Sequence, residues 1–166
     1  MRFGGLMAAF ATGAAVLVLA LVGCGGGSEP ATETVPPMTE AKLAEKLGDI
    51  CQEHTDRQVI AIEKFDKKHD LPYGPTHEKA SPAQLEKELI VVILPIVRDN
   101  IRDLERELRP PPSQEANLKD FLKALEHGIE FSEKDPNWVT DSATTEPFMK
   151  ARLLSVKLGT PLCGQA

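Results

Sequence analysis

The sequence predicts an all-α domain over residues 39–166, folded as an antiparallel four-helix bundle. Apolar residues recur at spacings of three and four in four successive segments, which is the period of a helix with one buried face. Aromatic residues make up only 5% of the chain, which favours helices over a β-sandwich. Stretches containing Pro separate the segments. Because most connections are short, antiparallel packing of neighbouring helices is the simplest arrangement.

The first two helices have clear starting signals. The first runs from Thr39 to about Lys68, with a stripe of Leu43, Leu47, Ile50, His54, Ile62 and Phe65. The second starts at Ser81-Pro82-Ala83-Gln84, where Ser suits the cap, Pro the first turn and Gln the capping box. Its residues 89–97 are apolar on all sides, so we expect it at the centre of the core, kinked by Pro95.

Two further helices complete the domain. The third has the stripe Leu118, Phe121, Leu122, Leu125 and Ile129. The fourth begins around Glu146-Pro147 and stops at Gly159. In an up-down bundle the end of this fourth helix returns to the start of the first. The topology therefore predicts that Cys163 lies near Cys51.

The N-terminal segment predicts export and lipidation. Arg2 gives a positive start, residues 3–23 carry no charge, and Leu21-Val22-Gly23-Cys24 resembles the cleavage box of bacterial lipoproteins. That resemblance implies a signal peptide over residues 1–23 and a diacylglycerol on Cys24. An uncleaved transmembrane helix is the alternative, with the same outward-facing domain. Residues 24–38, rich in Gly and Pro, are predicted to form the lipidated Cys and a flexible linker.

The cysteine count supports an oxidising compartment. If acylation consumes Cys24, an even pair remains, Cys51 and Cys163, and we expect a disulfide between them. The alternative is two buried free thiols.

A second resemblance covers about residues 40–164. Asp49-Ile50-Cys51, together with the ending from Leu158 to Gly164, is similar to a group of small all-helical actinobacterial exported lipoprotein domains. The resemblance implies a helical fold closed end to end by a disulfide, carried here by Cys51 and Cys163. It implies no activity.

Charge and motifs exclude several classes of function. A net charge of −6 disfavours binding to nucleic acid and predicts no basic face for anionic lipid, so membrane attachment is expected through the anchor alone. The sequence contains no Cys-x-x-Cys, His-Glu-x-x-His or Gly-x-Ser-x-Gly motif. We therefore expect no catalytic residues, no metal site and no cofactor. The mixed charges around Asp103 and Glu105 are interpreted as a solvated helix face.

One candidate ligand site remains. A fully packed core is the default expectation, but a kink at Pro95 could open a pocket lined by Val92, Ile96 and His54. His54 itself is either a ligand or a buried imidazole bonded to a neighbouring group. The expected role is therefore a non-catalytic interaction or structural protein of the cell envelope. A small-ligand or metal-binding helical module is the alternative, and an enzyme is the third.

Overall fold

The computed structural model describes residues 36–71, 80–140, 146–161 and 163. The α-helices are α1 (Glu40–Lys68), α2 (Pro82–Glu88), α3 (Leu94–Glu107), α4 (Glu115–Lys134) and α5 (Met149–Lys157). A π-helical turn, Leu89–Ile93, joins α2 to α3, and a 3₁₀ turn, Pro136–Val139, follows α4. The predicted all-α class is confirmed, since every regular element in the described ranges is helical.

The predicted signal peptide, Cys24 and linker residues up to 35 lie outside the described residues, as does most of the Pro/Gly loop after Leu71. In the ranges that are described, no helix combines the length and apolar character needed to cross a bilayer.

The helix starts agree with the capping signals of the sequence. The Thr39 hydroxyl oxygen accepts a hydrogen bond from the backbone N–H of Lys42 at 3.2 Å. At the start of α2 the backbone N–H of Ser81 donates to Oε1 of Gln84 at 2.8 Å. Each bond satisfies a polar group that the first turn of a helix leaves without an intrahelical partner. The fourth predicted helix begins two residues later than expected, at Met149, after a turn that includes Pro147.

The segment from α2 to α3 is continuous, with a π-helical turn just before Pro95. Pro95 has no N–H to donate, and its ring crowds the carbonyl one turn earlier. Immediately before it, the N–H of Leu94 reaches back five residues to the carbonyl of Leu89. The structure therefore has a wider, π-helical turn just before Pro95, where the sequence predicts a kink.

Residues 89–97, expected at the centre of the core, are buried on one side only. Leu89 and Leu94 belong to the core, but Ile90 and Val91 are exposed. The run is unbroken in sequence, yet a helix in this position offers only one side to its neighbours.

Helices α1 and α3 pack side by side in opposite directions. Lys46 of α1 pairs with Glu107 at 2.6 Å, and Arg57 pairs with Asp99 at 3.1 Å. The residue number rises along α1 as it falls along α3, so the two helices are antiparallel. Helix α4 packs against both α3 and α5. These elements share one core, whose side chains include Leu47 of α1, Leu104 of α3, Phe121 of α4 and Phe148, which directly precedes α5. All four have essentially no exposed surface.

The C-terminal segment closes against the first turns of α1. Gly159 ends α5 with a φ of +86°, a conformation that favours glycine, and a Cβ placed there would lie 3.0 Å from the Cβ of Ala44. Cys163 is buried and disulfide-bonded to Cys51 across 112 residues of sequence, with a Cα–Cα distance of 5.3 Å. The predicted disulfide is thus present in the structure.

Candidate functional site

The one buried histidine of the described residues lies at the interface between α1 and α3. His54 follows Ile50 by one helical turn, so it faces inward, and only 3% of its surface is exposed. Its Nε2 lies 2.9 Å from Oδ2 of Asp103. A carboxylate oxygen can only accept, so in this bond the imidazole carries its proton on Nε2.

The partner of His54 is a residue that the sequence analysis assigned to a solvated face. The Asp103 side chain is only 26% exposed, and its second oxygen, Oδ1, accepts from Arg106 at 2.7 Å. Both carboxylate oxygens are therefore engaged. Asp103 thus lies at the edge of the charged face and not fully in solvent, because the antiparallel register places it directly opposite the imidazole.

The other ring nitrogen of His54, Nδ1, is buried and makes no hydrogen bond in the described part of the chain. In a neutral imidazole that carries its proton on Nε2, this atom presents a lone pair. A carboxylate-oriented imidazole with a free lone pair is the usual form of a metal-ligating or basic histidine. However, no group of three His, Cys, Asp or Glu side chains in the described ranges is arranged to hold a metal ion.

The pair as it stands therefore supports a structural interpretation. Catalysis by an oriented imidazole also needs a nucleophile or substrate within hydrogen-bond distance of the free nitrogen. The described hydrogen bond of His54 instead joins α1 to α3, and it is partly buried.

The other two predicted site residues precede Asp103, the partner of His54, along the chain. Val92 and Ile96 are half-buried on the segment that contains the π turn and α3. The His54 imidazole is opposite Asp103, and Ile96 precedes Asp103 by seven residues, about 10 Å along the helix axis. Val92 lies further still. A pocket that these three residues line together stays a prediction.

Pro95 does border a groove, but on the side where α3 meets α4. The groove has a volume of about 690 Å³ and is open to solvent. Apolar side chains of Pro95, Ile101 and Ile129 line it together with charged groups that include Glu130. Arg98 of α3 and Glu133 of α4, which also line it, form an ion pair. His54, Val92 and Ile96 are not among its lining residues.

A line of ion pairs continues from Asp103 to the end of α3. The hydrogen bond from Lys46 lowers the pKa of Glu107, and Arg106 lowers it further. Reciprocally, the hydrogen bond to Glu107 raises the pKa of Lys46 and that of Arg106. These groups are solvated, and the pair between Lys46 and Glu107 is the one among them that joins α1 to α3, so it defines the register of the two helices more than it stabilises them.

Comparisons with protein-family models, with curated proteins and with solved structures find no match to this chain.

Proposed function

We propose that this protein is a lipid-anchored, extracytoplasmic lipoprotein that acts without catalysis, as an interaction or structural protein of the cell envelope. In this proposal residues 1–23 are a signal peptide, Cys24 carries the lipid, and the helical domain is an antiparallel four-helix bundle held off the membrane by residues 25–38. The resemblance to small actinobacterial exported lipoproteins is part of the same proposal.

The observation that carries the proposal is the disulfide between Cys51 and Cys163. Disulfides persist in extracytoplasmic compartments and are rare where glutathione or thioredoxin keeps thiols reduced. The bond also accounts for two of the three cysteines of the chain. The remaining one, Cys24, is the cysteine that directly follows Leu21-Val22-Gly23, so each cysteine has a role in an exported lipoprotein.

The non-catalytic part of the proposal is supported by the surroundings of His54. Its Nε2 is occupied by Asp103, whose second oxygen is occupied by Arg106. An acid–base residue needs access to a substrate, and this imidazole is almost fully covered.

The first test is the intact mass of the protein gently extracted from its own membrane, measured under native and then denaturing conditions. The proposal predicts a chain that starts at Cys24 and keeps a lipid mass after denaturation. As a matched variant, Cys24→Ala should release the protein from membranes or block its processing. Unchanged processing and membrane retention of Cys24→Ala would refute the lipid anchor.

A ligand-binding module is the second candidate, and the groove between α3 and α4 favours it. Its volume of about 690 Å³ lies within the range of small-molecule sites. Under the same mass measurement, this candidate predicts added mass that is present in the native state and lost on denaturation. In that case the groove bordered by Pro95, and not the surroundings of His54, is where the ligand should be sought.

A further inference from the structure

Helix α5 has two apolar faces, and only one of them is covered. Ala151, Leu154 and Ser155 face the core and are buried. Met149, Leu153 and Val156 form a second stripe on the outward side, with exposed fractions of 41%, 62% and 58%. These three positions are spaced by four and three residues, so they lie along one side of the helix. We call them the outer stripe.

Cationic side chains flank the outer stripe on both sides. At 100° per residue, Lys150 and Lys157 lie about 70–90° around the helix axis from the centre of the stripe, and Arg152 lies on the other flank. Both lysines are exposed, and Arg152 pairs with Glu146. Helix α5 contains no Asp or Glu, whereas each of the other four described α-helices contains at least one. A basic, apolar surface is thus concentrated on one helix of a chain whose net charge is −6.

The outer stripe also lies on an element next to the start of the domain. Gly159, two residues after the end of α5, packs against Ala44 in the second turn of α1. Residues 25–38, which precede α1, reach at most about 50 Å even if fully extended. Helix α5 is therefore within reach of any surface to which Cys24 is attached.

We infer that the outer stripe docks onto an anionic lipid surface, with its apolar side chains at the level of the acyl-chain boundary and its lysines among the headgroups. This inference rests on the proposed lipid anchor. A helix with an apolar stripe and flanking cations binds in the plane of the interface, where its lysine stems lie along the apolar layer and their ammonium groups contact the headgroups. The inference departs from the expectation of no basic face, because net charge does not report how charges are distributed.

A lipid surface is a better occupant than a second copy of the chain. A standard protein interface needs about 800 Å² from each partner, far more than three side chains of a nine-residue helix provide. A membrane imposes no such requirement, because the anchor already holds the helix at a high local concentration beside the bilayer.

The test uses the full lipidated chain reconstituted into phosphatidylcholine vesicles with or without phosphatidylglycerol. Leu153→Cys introduces a thiol for an environment-sensitive fluorophore, and Lys119→Cys, at an exposed position on α4, is the matched control. With phosphatidylglycerol present, lipids brominated on the acyl chain should quench the probe at 153 at least about twofold more than the probe at 119. Adding Lys150→Glu and Lys157→Glu should remove the difference, and helical circular dichroism should remain unchanged.

Equal quenching at 153 and 119 on vesicles that hold lipidated protein would overturn the docking and leave the anchor intact. If the environment of the probe at 153 changes with the density of protein on the vesicle and not with brominated lipid, a second copy of the chain covers the outer stripe. That result would also overturn the docking onto lipid. The mass of each preparation is measured first. Absence of lipid on Cys24 would refute the anchor, and with it the docking that depends on the anchor.

Discussion

The imidazole of His54 and the carboxylate of Asp103 meet at 2.9 Å between α1 and α3, although 49 residues separate them in sequence. The bond joins a nearly fully buried ring to a side chain at the edge of solvent. It fixes the register of the two helices from the inside, while Lys46–Glu107 and Arg57–Asp99 fix it from the surface.

Removing the carboxylate should therefore destabilise the fold. We expect Asp103→Ala to lower the free energy of unfolding by about 1–3 kcal/mol, because it leaves the buried Nε2–H of His54 without an acceptor. Urea denaturation followed by circular dichroism measures this change. Glu105→Ala, two residues away at an exposed position, is the control and should stay within about 0.5 kcal/mol. In a double-mutant cycle with His54→Phe, additive effects would contradict a direct coupling.

The disulfide should supply a large share of the stability. In the chain-entropy model, a loop of 112 residues is worth about 4–5 kcal/mol, against a typical total of about 5–15 kcal/mol. We expect Cys51→Ser, Cys163→Ser and the double variant to be destabilised by similar amounts, since each breaks the same bond. Chemical denaturation with and without reductant measures the loss. Labelling of both cysteines by an alkylating reagent under non-reducing conditions would contradict the bond itself.

The sequence predicts the helices of this domain well because their signals are local. Capping residues such as Thr39 and Ser81, and apolar spacing along α1 and α4, depend only on neighbours in the chain. The sequence also predicts the pairing of Cys51 with Cys163, from the count of cysteines and the expected return of the last helix.

The sequence predicts the site poorly because the site depends on register. Asp103 looks like one acid in a charged stretch until α3 is aligned against α1, and nothing in the spacing gives that alignment. Likewise, residues 89–97 give no indication of which side stays exposed, since every position is apolar. The sequence does not predict the outer stripe of α5 for a related reason: Leu153 fits a helical pattern, but the pattern alone does not say which of two apolar faces is covered.

Two glycines in helix interiors should respond oppositely to alanine. A Cβ on Gly128 would lie 2.5 Å from the ring of Phe148, a fully buried side chain, so Gly128→Ala must displace the ring or separate α4 from α5. We expect the free energy of unfolding to fall by about 1–3 kcal/mol from overpacking, in spite of the better helix propensity of Ala.

Gly48→Ala is the matched control, because its Cβ would meet only Thr160 Oγ1 at 3.6 Å. That variant should be neutral or more stable, and thermal denaturation of both compares them. A stabilising effect of Gly128→Ala would contradict the close packing of α4 on α5.

The ion pair between Lys46 and Glu107 predicts a pH dependence with a definite sign. The hydrogen bond from Lys46 lowers the pKa of Glu107 below its ordinary value of 4.5. Because the folded-state pKa is the lower one, the pair contributes its stability above the unfolded pKa and loses it as the pH falls through the folded pKa.

Carbon-detected NMR titration of the Glu107 carboxyl should give a midpoint below 4.5, and Lys46→Met should move that midpoint up. Glu105→Gln serves as the control, since it removes a nearby charge without touching the pair and should change the midpoint little. The effect of Lys46→Met should shrink at high salt, because the pair is exposed to solvent and therefore screened. A midpoint that Lys46→Met leaves unchanged would show that the two side chains do not interact in solution.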